Sequence, residues 1–450
     1  MRGVEGAPSA FKTEGLIWST PVIDARGNVY FGAADKFFYA VNPYGDLLWK
    51  HKIHDVPDAL IDSAAAITRD GKIVVPGGDG YLHALDIKTG EKIWEFKAYH
   101  ATDEQVKSGR VVNSFEGNVA EGPTGHLFAG SDNGHMYCLS PEGKEVWNFK
   151  TGMMIWSAAV FDPASRWMCF GSLDGYLYLL DPESGQLLDK IYLGEIKASP
   201  AFDPAYGTVF IGNTSGKMYA IGIKGKEFRK KWMFKTGREI YSSASCDGKM
   251  VYFGSTDGNL YAVDYTGKLR WKYNANSPIY SSPVAIGDSN VIFGAVNGKI
   301  YAVNDKGTRI WSFRTTGNPH KANLDSSPAV SQDGKVYIGS YNGNLYALPL
   351  DYCPNHPEDG RCEFGGTEDP PYAKGKMLRI EDRDRNLVPG LSVGLSEPVK
   401  VRLVCFEDGK YVPNAAVNSA GLSVRISPEI GFKYFVSSNG HYINIFPDGF

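Results

Sequence analysis

One pattern recurs through the first 350 residues: apolar-x-apolar-Gly, two residues, Asp or Asn, Gly, one residue, then apolar-Tyr-x-apolar. Clear copies are Gly171–Leu180, Gly254–Val263, Gly294–Val303 and Gly339–Leu348, with degenerate ones around Asp35, Asp79, Asn133 and Ser215. Counted on the second glycine they fall at positions 36, 80, 134, 175, 216, 258, 298 and 343, and Lys36 replaces that glycine in the first copy. The intervals run from 40 to 54 residues. A unit of about forty residues cannot bury its own apolar face. It has to stack on its neighbours, and this period belongs to the blades of a β-propeller.

Each unit reads as four strands. In 280–313, Tyr280–Ala285, Asn290–Gly294, Lys299–Val303 and Thr308–Phe313 are apolar runs separated by turn residues, and Asn297-Gly298 is a hairpin signal. A tryptophan recurs in the fourth strand at Trp49, Trp94, Trp147, Trp232, Trp271 and Trp311, with Leu188 in its slot in unit four, and is expected to wedge between adjacent sheets. The eighth copy stops at Leu348, before its fourth strand. Phe11-Lys-Thr matches Phe149-Lys-Thr and Phe234-Lys-Thr, which follow fourth strands elsewhere. Residues 6–13 are therefore expected to complete the last blade and close the ring, leaving no raw edge at the seam.

Composition agrees with this and excludes other classes. Aromatic residues make up 13% and there are 52 glycines, as suits β-structure with many tight turns. The net charge of -3 excludes a protein that coats nucleic acid by neutralising phosphates. No run approaches the roughly 18 apolar residues of a membrane-spanning helix. Met1–Ala10 is polar and lacks the apolar stretch of a signal peptide.

Ala84-Leu-Asp-Ile-Lys-Thr-Gly-Glu-Lys-Ile-Trp94 has Ala, Asp, Thr-Gly and Trp at the spacing of the repeat of pyrroloquinoline-quinone-like propellers, and Asp181–Gly185 and Tyr265–Trp271 are looser copies. The chain thus resembles eight-bladed quinoprotein-type propellers over about three quarters of its length. That resemblance implies two kinds of protein: quinone dehydrogenases that use the quinone with calcium, and cofactor-free scaffolds such as the propeller lipoprotein of the outer-membrane β-barrel assembly machinery. It also implies export, to the periplasm, the outer membrane or the cell surface. The dehydrogenases carry adjacent cysteines, and none of the six here are adjacent.

The expected fold is all-β: an eight-bladed propeller over 1–350, a linker over 351–375, and a small β-sandwich-like domain over 376–450. The tail alternates apolar and polar residues at 399–406, 422–426, 432–436 and 442–446. Asn386–Gly390 and Lys410–Asn414 resemble a turn of bacterial immunoglobulin-like modules. Asp382–Asn386 starts like a calcium loop but lacks its glycine and glutamate. Cys353 and Cys362 could form a local disulfide, join His356 at a metal, or stay free; Cys138, Cys169 and Cys246 read as buried apolar residues.

In a propeller the first strands line the central channel. The residues that open them are Trp18, Asp62, Glu116, Trp156, Lys197, Tyr241, Tyr280 and Asp325. One half of the mouth is then acidic and the other aromatic with one lysine. Asp62, Glu116 and Asp325 are expected to converge beneath His51, His54, His100 and His320. Asp62, Asp325 and His54 are the candidates for holding a divalent metal. The reading that follows is a monomeric, non-catalytic binding scaffold for a protein partner or surface polymer, needing no cofactor. A quinone-dependent dehydrogenase and a carbohydrate binder using Trp18, Trp156, Tyr241 and Tyr280 remain as alternatives.

Overall fold

The computed structural model describes residues 7–365 except 57–58, 99–113, 165, 288–289 and 316–322, together with backbone strands of the tail. Two compact units emerge, Met1–Gly307 with Thr315–Tyr352, and Thr308–Arg314 with Cys353–Phe450. The first carries the ring of antiparallel sheets that makes an eight-bladed propeller. Blade one is typical, with strands Val22–Ile23, Val29–Gly32, Phe37–Val41 and Leu47–Lys52 in order from the axis outward. Blade eight takes its outer strand from the N-terminus: Ser9–Lys12 pairs antiparallel with Asn344–Pro349, from Ser9 opposite Ala347 to Lys12 opposite Asn344.

The repeat residues are structural devices. The tyrosine of the third strand donates its hydroxyl to the Asp four residues earlier, at 2.7 Å in Tyr39–Asp35 and 2.6 Å in Tyr178–Asp174, and where that residue is Asn its amide donates to the tyrosine instead, as in Asn133–Tyr137 at 2.7 Å. The side chain of that Asp or Asn also accepts the amide two residues on, which sets the hairpin. The threonine of the Phe-Lys-Thr motif donates to the hairpin glycine carbonyl of its own blade, as in Thr13 to Gly343 at 3.0 Å and Thr151 to Gly134 at 2.9 Å. This shared bond is why the N-terminal segment carries the same motif as segments that follow outer strands elsewhere.

Neighbouring blades interlock at two radii. Near the axis, the glycine that ends the second strand in every blade but the second, where Pro76 stands, receives an aliphatic side chain from the next blade. A Cβ on Gly171 would lie 2.3 Å from Ile196 Cγ2, and one on Gly254 would lie 2.4 Å from Ile279 Cγ2. At the rim, the outer-strand indole lies on a turn glycine of the next blade. Trp147 does so at Gly185 and Trp94 at Gly143, and their N–H groups donate to the carbonyls of Pro182 and Pro141, both at 3.1 Å. The expected wedge is thus a specific contact. Between these radii lie the aromatic and aliphatic clusters that hold sheet to sheet. One joins blades four and five through Cys169, Leu177, Val209 and Ile221. Another joins blades eight and one through Tyr337, Leu345, Phe31 and Phe11. Burial at roughly 25 cal/mol per Å² of apolar surface makes these inter-blade cores the main source of stability.

In the second unit, Arg309–Arg314 pairs antiparallel with Cys362–Phe364, and Cys353 is disulfide-bonded to Cys362. Residues 352–355, placed in a linker by sequence, form one helical turn. The Glu363 carboxylate lies 3.5 Å from Arg309 and 3.4 Å from Arg314. Further along, Arg379–Glu381, Leu422–Ile426, Val401–Glu407 and Lys410–Pro413 form a four-stranded sheet in that order, and Phe432–Val436 pairs with Ile443–Pro447. Residues 382–400, which include the turn Asn386–Gly390 and the calcium-like run, lie outside the described residues, as do His100 and His320.

Candidate functional site at the channel mouth

Each inner strand is preceded by a three-residue step, such as Trp18-Ser19-Thr20, Tyr241-Ser242-Ser243 or Asp325-Ser326-Ser327. The middle serine is a staple: Ser19 Oγ both donates to the Gly32 carbonyl and accepts its N–H, each at 2.9 Å. The third residue links blades around the axis. Ala158 N–H donates to Ser199 Oγ, Ser199 N–H to Ser243, Ser243 N–H to Ser282, Ser282 N–H to Ser327 and Ser327 N–H to Thr20, over 2.9–3.3 Å. Ala64 N–H donates to Asn118 at 2.7 Å. The two positions of this ring without a side-chain acceptor are Ala64 and Ala158. These serines are committed to backbone partners, so they are structural and carry no nucleophilic role.

The first residue of every step reaches the same place. Trp18, Asp62, Glu116, Trp156, Lys197, Tyr241, Tyr280 and Asp325 all line one cavity of about 500 Å³. Tyr341 lines it too, from the second-to-third-strand hairpin of blade eight. Asp132, at the matching hairpin position of blade three, accepts the Trp156 indole N–H at 2.8 Å. Sequence reasoning passed over both residues because they occupy a variable position of the repeat. The available signal was a charged or aromatic residue where other blades carry Ala34, Gly78, Leu173 or Val296.

The acids divide into two groups. Burial, then the nearby Asp132 and Asp62, push the Glu116 carboxyl up to about 8, against a partial offset from Lys197. Burial raises Asp132 to about 6, with Asp62 adding to the rise and the Trp156 N–H opposing it. Asp62 is raised by burial. Asp325 stands apart: burial raises it, the Tyr341 hydroxyl donates to its Oδ2, and its buried Oδ1 meets no donor. Asp62, Glu116 and Asp325 thus share one cavity, but the electrostatic coupling links Asp62 and Glu116 with Asp132 and leaves Asp325 out.

The aromatic half is equally ordered. Tyr241 and Tyr280 rings lie 5.4 Å apart, and Trp18 meets Tyr341 edge-on at 5.2 Å. Lys197 Nζ sits 4.6 Å from the Trp156 ring centre and 5.2 Å from that of Tyr241, with Glu195 at 3.6 Å.

His51 and His54 are elsewhere. His51 belongs to the outer strand of blade one, near Gly90 and Lys92, and His54 is buried beside Asp79 and His83. Neither lines the cavity. Among the described residues no three His, Cys, Asp or Glu side chains come close enough to hold one metal ion. The described residues lining the cavity include three acids, Asp62, Glu116 and Asp325, and a single lysine, Lys197, and no three ligating side chains gather there to hold the calcium of a calcium-bound quinone.

The family described as outer membrane protein assembly factor BamB matches residues 10–186 and 173–356. Among solved structures, BamB from Moraxella catarrhalis superposes with a TM-score of 0.61 at 18% identity, over 75% of this chain and 98% of its own. Sqt1 from Saccharomyces cerevisiae gives 0.62 at 12% identity, over 76% of this chain and 97% of its own. The computationally designed Ika8 protein gives 0.60 at 17%, over 75% and 97%. No curated protein sequence matches. Identities this low report a shared fold, and a fold shared by a natural assembly factor and a designed protein selects no function by itself.

Proposed function

Because the chain belongs to the family of outer membrane protein assembly factor BamB, we propose that it is a non-catalytic propeller that docks a protein partner at its channel mouth in the bacterial envelope. The observation that carries this reading is the mouth itself. Eight side chains, one from each blade, meet on one cavity as an acidic arc and an aromatic arc on a rigid ring, and such a surface binds rather than reacts. The serines are tied to backbone and the buried thiols are poor nucleophiles: burial pushes Cys138 up to about 12. Among the described residues no helix is long and apolar enough to cross a membrane.

The carbohydrate alternative is weaker on geometry, since the Trp156 ring is covered by Lys197 and its N–H is taken by Asp132. A photo-crosslinking residue in place of Tyr280, 39% exposed, is expected to capture one defined envelope protein in cells. Dye-linked alcohol oxidation by the protein supplied with the quinone and calcium, or an absence of protein adducts, would overturn the scaffold reading.

A further inference from the structure

The two halves of the mouth are unequal in one respect. On the Trp156–Tyr241 side, the molecule supplies its own cation: the Lys197 ammonium lies over both rings and beside Glu195. On the opposite side stand Trp18, Tyr280, Tyr341 and Asp325, and among the described residues lining that side none is basic. Lys197 is the sole basic residue among the described residues lining the cavity. Asp325 Oδ1 is buried without a donor, and Tyr341 engages only the other oxygen. A carboxylate withdrawn from water and half-satisfied costs free energy until a cation or donor meets it.

We propose that this half of the mouth seats an arginine side chain presented by the partner polypeptide, its guanidinium stacked on the Trp18–Tyr341–Tyr280 wall and hydrogen-bonded to Asp325. This rests on the protein-docking reading above and names the partner's contact. A metal ion needs several ligand atoms converging on one point, and no such convergence exists among the described residues. A guanidinium suits the observed spread better. It is flat, stacks on aromatic faces, and carries five N–H donors over a wide fork. An ammonium gives a point charge and is more strongly hydrated, so lysine is a poorer occupant. The second acidic group, Asp62, Glu116 and Asp132, is held toward its neutral form by burial and mutual repulsion, and an incoming cation would favour its ionisation. Lys197 repels that cation.

The test uses the full chain and capped Gly-Ser-Arg-Ser-Gly peptides in which arginine is kept, replaced by lysine, or replaced by citrulline. The indole N–H signals of Trp18 and Trp156, assigned by Trp→Phe variants, report the two halves separately. The arginine peptide is expected to shift Trp18 saturably, with the citrulline peptide at least tenfold weaker and the lysine peptide intermediate. Asp325→Asn should weaken arginine binding at least tenfold, whereas Lys197→Met should strengthen it severalfold by removing a repelling charge. Equal binding of citrulline and arginine, or no Trp18 response at millimolar arginine peptide, would overturn the proposal. If Asp325→Asn fails to fold, the charge comparison in the unsubstituted protein and the Lys197→Met variant still decide it. Retained cross-linking at position 280 together with a silent Trp18 would reject the arginine contact and leave the scaffold reading standing. A saturable Trp18 response to arginine with no adduct at position 280 would reject the protein-docking reading and, with it, a partner polypeptide as the source of the arginine.

Discussion

The ring is closed by four residues, Ser9–Lys12, and Phe11 is the side chain by which that strand enters a core. Its ring centre lies 6.0 Å from Phe31 and 5.7 Å from Tyr39, both in blade one, so it joins blade eight to its neighbour. Phe11 is half-buried. Phe→Ala in a full core costs about 3–5 kcal/mol, and half of that, with two edge contacts included, gives about 2 kcal/mol for Phe11→Ala. Phe149→Ala is the matched control. Phe149 occupies the same position in blade three, with ring contacts to Phe170 at 6.5 Å and Tyr178 at 5.5 Å, but its strand is a hairpin neighbour of the one it pairs with. Urea unfolding should give both variants a loss of about 2 kcal/mol. Native-state amide exchange should separate them: Phe11→Ala should speed exchange in Asn344–Pro349, whose outer partner is the closing strand. Unchanged exchange there, with a normal loss of stability, would show that the seam is held by something other than this strand and would refute the closure argument.

Gly171→Ala should destabilise by about 1–3 kcal/mol, because the added methyl strikes Ile196, and Ile196→Ala in the same chain should recover part of the loss by thermal melting. Ala64→Ser and Ala158→Ser should each stabilise by about 0.5–1.5 kcal/mol in urea by completing the ring of acceptors around the axis. Glu116 titrates near 8 in the fold against an ordinary 4.5. The folded state therefore holds a proton that the unfolded chain gives up, and the stability this contributes is lost as pH rises from about 4.5 to 8. Glu116→Gln should match the unsubstituted protein near pH 4.5 and melt increasingly above it toward pH 8.5. Parallel melting curves across that range would sink the argument.

The period, the number of blades, the borrowed closing strand and the eight residues at the mouth were all legible in the sequence. The repeat is carried by contacts short in sequence, a hairpin glycine, a Tyr to Asp bond over four residues and a Thr to Gly bond across one blade, and the closing strand, though paired with a distant segment, carries the same Phe-Lys-Thr motif as those local copies. A local device repeated eight times announces the fold as often as it occurs, and it places equivalent residues at equivalent radii. What the sequence left open depends on contacts between segments far apart in the chain. Asp132 and Tyr341 sit at a position the repeat leaves free, and only the tertiary fold brings Tyr341 to the cavity and Asp132 to the indole of Trp156. His51 is held in the outer strand of blade one and His54 in the segment just after it, so proximity in sequence to Asp62 did not bring them to it. Cys362–Phe364 pairs with Arg309–Arg314 across some fifty residues with no repeat signal. The separation of Asp325 from the other acids is likewise tertiary, since the width of an eight-membered ring, and no property of the residues, sets which carboxylates feel one another.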